Sequence, residues 1–235
     1  MNVSENDFTV LELQARWDRI RVANIYDTLD QLGYGSQCLD LSIRPLLPTQ
    51  HLAGKAVTVA GGRDPSTNTE LTASKHTESY LSLDKLLFPG AVVVIDGGGE
   101  RWTGKFGEMT SWHLKQCGAK GIVIDGMIRD YLGLVVIPDY TVCCRGTSPI
   151  ESYPRWRIHR TNEVIALPGT LTSQVRVAPG DWIVAEADGV VVIPQEIAME
   201  TLIKAEEVEA KEEATRRDLA AGVSFEEAFK RHSRA

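Results

Sequence analysis

Between residues 104 and 130 the chain reads GKFGEMTSWHLKQCGAKGIVIDGMIRD, which commits it to a helix, a strand and a charged loop in immediate succession. Gly107 and Glu108 open the helix, which runs to about residue 116, and the short apolar run 121–124 is strand-like. The loop 125–130 then brings Asp-Gly-x-x-Arg-Asp to the carboxyl end of that strand. An apolar strand entered directly from a helix is buried beneath helices, so the segment predicts a layered α/β domain.

The flanking sequence extends the alternation. Residues 12–32 have helical spacing, with Ile25, Leu29 and Leu32 as an apolar stripe, and Gly33 and Gly35 stop it. Residues 44–55 read as loop. Residues 55–60 are expected to be the first strand, with Gly61, Gly62, Asp64, Pro65 and Ser66 forming a polar turn after it. A helix is expected over 70–87, and the apolar run 91–95 reads as an internal strand ended by Asp96 and three glycines. Beyond Pro138, short strands are expected near 141–144, 174–177, 182–187 and 190–193, the last two joined at Asp188-Gly189 by a tight hairpin. A charged helical tail follows Pro194, expected to be largely solvated or to pack on the core or on a neighbouring subunit. These expectations divide the chain into an N-terminal helical segment (1–42), an α/β/β core (43–197) and a charged C-terminal helical region (198–235).

Composition narrows the function. With 235 residues, 43% hydrophobic content and 24% charged content, the chain can bury one large core. A net charge of −7 gives no bulk attraction for nucleic acid. No apolar run reaches the ~20 residues that span a bilayer, and the N-terminus lacks a basic segment leading into an apolar one, so a cytoplasmic protein is expected. Cys38, Cys117, Cys143 and Cys144 lack disulfide or CxxC spacing, and the last two read as buried thiols. The five histidines have no close spacing that would announce a His-rich zinc centre.

The chemistry concentrates in residues 104–130. Helix-start amides around Gly107–Met109 offer an anion site, although Glu108 also suits a first turn for its favourable interaction with the helix dipole. Arg129 presents the planar fork that grips a carboxylate, and Asp130 is a hard oxygen ligand suited to Mg2+ or Mn2+. The same pair could equally be an ion pair closing a loop. Asp125, before Gly126, reads as a turn residue. Arg63 and Asn68 lie in the polar loop after the first strand, where α/β sites often gather substrate contacts. His76, Asp96, Arg101 and His113 are weaker candidates, His113 reading as ordinary half-buried packing. Neither a dinucleotide fingerprint nor a P-loop is present, because GGGERWTG lacks the required glycine order and Gly104-Lys105 is followed by Phe106.

Glu108, twenty intervening residues and Arg129-Asp130 resemble the defining pattern of the RraA-like family, whose enzymatic branch contains metal-dependent 4-hydroxy-4-methyl-2-oxoglutarate aldolases. The segments FGEM, GAKGIVIDGMIRD, RGTSP and PGDWIVAEADGVVVIP are also family-like, so the likeness spans roughly residues 20–215. The resemblance implies a β/β/α fold like the swivelling phosphohistidine domain, not a Rossmann domain. It implies that Arg129 binds a pyruvoyl unit and that Asp130 contacts a divalent metal. Glu108, standing where many family aldolases have Asp, would hold water on that metal, and the Gly107–Met109 amides would receive a substrate carboxylate. A neighbouring subunit's glutamate, matched here to Glu212, would complete the site in a homotrimer or hexamer.

The expected reaction is therefore lyase cleavage of a small 4-hydroxy-2-oxo acid to pyruvate and a carbonyl product, with oxaloacetate decarboxylation passing through the same enolate. In this reading Lys105 and Lys120 are surface or loop charges. Two alternatives remain: a protein-binding regulator of an RNA-processing endonuclease, and a related sugar-acid lyase or isomerase.

Overall fold

The computed structural model describes residues 5–63 and 82–232. Its central element is β2, Leu52–Arg63, flanked earlier in the chain by the short β1, Arg44–Pro45. β2 runs parallel to β3 (Ala91–Asp96), β3 parallel to β5 (Ala119–Ile124), and β5 parallel to β7 (Thr141–Cys144), with β1 closing that side antiparallel. On its other side the first part of β2 pairs antiparallel with β12 (Trp182–Glu186), and β13 (Gly189–Ile193) lies beyond it. The second part of β2 pairs instead with β9, Trp156–Thr161. A second layer is the parallel trio β4 (Gly104–Lys105), β6 (Met127–Ile128) and β8 (Gly146–Thr147), and β10 (Ile165–Leu167) and β11 (Val175–Val177) form a hairpin. The antiparallel strands inside a mixed, nearly closed sheet flanked by helices make this the swivelling β/β/α fold and not a Rossmann fold.

Alternation along the strands divides the core. Leu52, Ala56, Val92, Val94, Val123, Ile183 and Val192 face the β10–β11 hairpin. On the opposite side, Val93, Ile95, Ile122 and Ile124 pack with Leu114 of helix α3, Glu108–Gln116. Further along that side, Trp182, Val184 and Ile193 meet the helices α1 (Val10–Trp17), α2 (Val22–Gln31) and α5 (Ala198–Ala220). Trp17 and Trp182 are both fully buried, with ring centroids 6.0 Å apart.

Several expected boundaries are corrected. The helix expected over 12–32 is two helices, broken without Gly or Pro at 18–21. Trp17, Ile20 and Val22 around the break are all buried together, and one straight helix would not aim them into one core. The first strand begins at Leu52 instead of 55 and continues through Gly61 and Gly62, which are not turn residues. A Cβ at Gly61 would strike the Trp156 ring, so that glycine permits a close strand contact. The hairpin turn falls on Ala187-Asp188, and Gly189 already pairs with Glu186 as the first residue of β13. The C-terminal helix is not simply solvated: Thr201, Leu202 and Ala205 are buried on the N-terminal helices, and Arg16 pairs with Glu206 at 2.7 Å. Of the helix expected over 70–87, residues 70–81 lie outside the described residues, and Ser82–Lys85 form one turn of 3-10 helix.

Cys143 and Cys144 sit in β7 with buried side chains, as the sequence indicated. Burial pushes the Cys144 thiol up to about 11 and the Cys143 thiol well above its ordinary value. Neither thiol should react with an alkylating reagent in the native protein at pH 8, whereas the half-buried Cys38 and Cys117 should be labelled first in metal-free protein. Peptide mass mapping of a labelling time course checks this, and early labelling of β7 would show that the strand opens locally.

Candidate active site

The parallel strands β3, β5 and β7 end in charged residues, as layered α/β sites require. Asp96 ends β3, where its Oδ1 accepts the Gly98 N–H at 2.8 Å, and burial holds it above the usual carboxylate range. Asp125 follows β5 and is buried against Arg145, which follows β7 and reaches Asp40 at 3.1 Å. Asp125 is thus more than a turn residue: it is one half of a buried ion pair joining two strand ends. Ser42, through its hydroxyl and its amide, together with Arg145, holds the Asp40 carboxyl down at about 2. Arg145 is a structural residue that sequence reading passed over, because its two acidic partners lie 20 and 105 positions away.

The trio β4, β6 and β8 brings the remaining candidates together. Gly104 permits the tight approach of β4 to β6: a Cβ there would fall 2.7 Å from the Arg129 Cβ and also strike the Ser148 carbonyl. Gly107 is the N-cap of α3, and a Cβ on it would run into the Asp130 carboxylate. The Glu108 N–H donates to Asp130 Oδ2 at 3.3 Å, so this acid sits at the positive end of a nine-residue helix. Asp130 has φ 62° and ψ 43°, and Phe106 on the facing loop has φ 47°. Non-glycine residues in that region cost of order 1–3 kcal/mol and cluster where a site is pre-organised.

Arg129 is only loosely engaged. Its Nε lies 3.5 Å from Asp130 Oδ1 and a terminal nitrogen lies 3.5 Å from Glu151 Oε1, both beyond a good charge-assisted hydrogen bond. The buried Nε has no hydrogen-bond partner. Both ion pairs are long, so neither acid engages the guanidinium fork through two short parallel hydrogen bonds. Arg129, Asp130, Tyr131, Thr147, Ser148 and Pro149 line a cleft of about 290 Å³. The Glu108 carboxylate lies against Gly133 of the short helix α4, Tyr131–Leu134, at a point where a Cβ would collide with it.

Other expected residues fall elsewhere. Arg63 lines a separate hollow of about 380 Å³ with Glu100, Trp102, Thr103, Ile150 and Arg155. Asn68 and His76 lie outside the described residues. Glu212 is held with Asn24 at 2.9 Å and Arg216 at 3.3 Å, where α2 meets α5. Lys105 is not a surface charge: it is fully buried, ion-paired to buried Glu100 and 5.7 Å from the Trp156 ring centroid. Burial lowers its pKa, with Glu100 opposing the shift, and its donors are spent on Glu100 and the Thr103 carbonyl.

Two groups of residues suit metals. Glu108 and Asp130 are hard oxygen donors of the kind Mg2+ and Mn2+ accept, and one chain brings two such acids to this helix start. Among the described residues, a three-ligand cluster occurs at the other end of α3, where ligand atoms of Asp84, His113 and Cys117 lie within 4.8 Å of one another. His113 is half-buried, as expected, and its Nε2 also lies 2.7 Å from Asp84 Oδ1. The i, i+4 spacing of His113 and Cys117 was visible in the sequence, but Asp84 comes from a distant turn.

The mixed, nearly closed sheet flanked by helices places the chain in the swivelling β/β/α fold class. Residues 22–192 match the RraA-like family, described as Aldolase/RraA, and the chain belongs to it. A protein of Halalkalibacterium halodurans, provisionally named 4-hydroxy-4-methyl-2-oxoglutarate aldolase, is 32% identical over 199 residues, covering 85% of this chain and 84% of its own. Protein DlpA of Legionella pneumophila is 27% identical over 227 residues, covering 97% of this chain but 34% of its own length. The crystal structure of Streptomyces coelicolor RraAS2, described as an unusual member of the RNase ES inhibitor RraA family, superposes with a TM-score of 0.74 at 26% identity. It covers 88% of this chain and 97% of that one.

Gly107 has φ −74° and ψ −170°, which alanine tolerates, so Gly107→Ala should keep the helix start and displace the Asp130 carboxylate. Overpacking there should lower stability by about 1–3 kcal/mol. Thermal unfolding and a structure of the variant check this; an unmoved Asp130 with unchanged melting would remove the close approach as a constraint on the site.

Proposed function

We propose that this protein is a divalent-metal-dependent lyase that cleaves a 4-hydroxy-2-oxo acid into pyruvate and a carbonyl product, with oxaloacetate decarboxylation as a second reaction of the same site. The observation that carries the reading is the loosely held Arg129 fork beside Asp130 at the start of the Glu108 helix. Arg129 would bind the carboxylate of the pyruvoyl unit through two parallel hydrogen bonds. The Gly107–Met109 amides, at the positive end of α3, favour a second anionic oxygen. Asp130 and Glu108 would hold Mg2+ or Mn2+, whose Lewis acidity stabilises the developing enolate charge when the ion is bound. Glu108 would steer a water that takes the proton from the substrate hydroxyl and returns one to the product carbon. Lys105 takes no part, since its ammonium is buried and paired. The relative provisionally named as an aldolase supports this chemistry.

We assign the third acid to a neighbouring subunit, with Glu212 as the candidate, in a trimer or hexamer. Met109, Leu132 and Val136 are 69%, 79% and 69% exposed around the site, which supports a partner surface there. A regulatory reading, in which this face binds another protein, is favoured by the likeness to the Streptomyces RraAS2 structure.

A panel of 4-hydroxy-2-oxo acids and oxaloacetate, assayed for pyruvate with Mg2+ or Mn2+ and after chelation, tests the proposal. Turnover should disappear on chelation and return with either ion. Asp130→Ala should abolish it, with the fold intact by circular dichroism. Arg129→Lys should lose at least about tenfold in kcat/KM, or about 1.4 kcal/mol, because a point charge cannot replace the fork. No metal-dependent release of pyruvate from any substrate would leave the regulatory reading in its place.

Subunit mixing tests the shared site. Arg129→Ala and Glu212→Ala chains should each be inactive alone and recover part of the activity when mixed. Proven mixing without recovery would move the third acid away from Glu212.

A further inference from the structure

The ligands at the far end of α3 differ in chemistry from those at its start. Glu108 and Asp130 offer only oxygen, whereas Asp84, His113 and Cys117 offer one oxygen, one imidazole nitrogen and one sulfur. Thiolate and imidazole select zinc-class ions, and Mg2+ and Mn2+ disfavour them. The two places are also apart: the nine residue steps along the helix from Glu108 to Cys117 correspond to about 13 Å.

The local architecture builds the cluster from two elements. His113 and Cys117 stand four positions apart and so project from one side of α3, with Cys117 as its C-cap. Asp84 comes from the turn Ser82–Lys85, anchored by Leu83, which is fully buried in the core beneath α3. The acid is thereby held over the helix, with its Oδ1 2.7 Å from His113 Nε2. The side chains of His113 and Asp84 are 33% and 36% exposed, so a fourth position opens to water. Zinc bonds of about 2.0–2.3 Å place tetrahedral ligand atoms roughly 3.3–3.6 Å apart. The present ligand atoms, all within 4.8 Å of one another, lie near that spacing.

We propose that Asp84, His113 and Cys117 form a second metal site, separate from the Glu108–Asp130 centre, that binds one zinc-class ion with water as its fourth ligand. The ion takes the place of the hydrogen between His113 Nε2 and Asp84 Oδ1, with the neutral imidazole keeping its hydrogen on Nδ1. The Cys117 thiol gives its proton to solvent, so the bound sulfur is a thiolate. In the metal-free protein the thiol is disfavoured from ionising by burial and by the nearby Asp84 carboxylate. A cation reverses both effects, because its charge outweighs that of the single carboxylate. The ion would clip the Ser82–Lys85 turn to the helix whose other end carries Glu108.

Cobalt(II) titration of the metal-free full-length protein tests the site, since a thiolate ligand gives a near-ultraviolet charge-transfer band that oxygen ligands do not. One equivalent per chain should produce the band, and zinc should displace it. Cys117→Ser should abolish it, and His113→Ala or Asp84→Ala should weaken zinc affinity at least tenfold. Asp130→Ala should retain the band, which keeps this result independent of any lyase activity. In the unmutated protein, zinc should slow alkylation of Cys117 at least tenfold while leaving Cys38 unaffected, a readout that needs no variant to fold. Absence of the band, its survival in Cys117→Ser, its loss in Asp130→Ala, or unprotected Cys117 would each overturn the proposal.

Discussion

The double pairing of β2 is the constraint on which the rest of the molecule depends. One twelve-residue strand is parallel to β3 along one edge and shares its other edge between β12 and β9. Buried main-chain groups must find partners, so three strands distant in sequence are fixed in register by one element. The switch falls between Lys55 and Val59, and the β9 pairing then shifts register at Ala60/Gly61, where the absent side chain of Gly61 leaves room for Trp156. The Trp156 indole in turn donates to the Gly97 carbonyl at 3.0 Å and faces Phe106 at 6.2 Å between centroids. The central sheet thereby positions the loop that begins the Glu108 helix.

From that frame the candidate site is assembled mostly by backbone. The three short strands β4, β6 and β8 bring the loops after residues 105, 128 and 147 side by side. Gly104 and Gly107 let those loops approach within a distance no side chain would allow. Asp130 is consequently held in a left-handed conformation, with its carboxylate against the first amide of α3. Rigid elements placed this way orient an acid and an arginine without consuming them in mutual hydrogen bonds. The buried polar groups nearby, Glu100 with Lys105 and Asp125 with Arg145, are paired and serve the scaffold.

The two ends of helix α3 present different side chains. Its start has a positive dipole end, where the Glu108 amide already donates to the Asp130 carboxylate. Its last turn presents His113 and Cys117 on one side, over the Asp84 turn. Local sequence sets the spacing within the helix, while the partner at each end comes from another part of the chain.

Sequence alone determined what short-range rules control. The strand at 91–96, the helix from Glu108 to Gln116 and the strand at 141–144 follow from apolar runs bounded by Gly, Pro and Asp, and the Glu108…Arg129-Asp130 spacing marked the family. The break after Trp17 was not legible, since no Gly or Pro signals it and burial of Trp17, Ile20 and Val22 in one core decides it. The strands at 104–105, 127–128 and 146–147 are two residues long, too short for periodicity, and exist only because they pair with one another. Burial of Lys105 and the Asp125–Arg145 pair were equally hidden, because charge in a sequence carries no record of the opposite charge that folding brings to it. Tertiary structure decided these features because each depends on contacts between residues far apart in the chain, which no local pattern encodes.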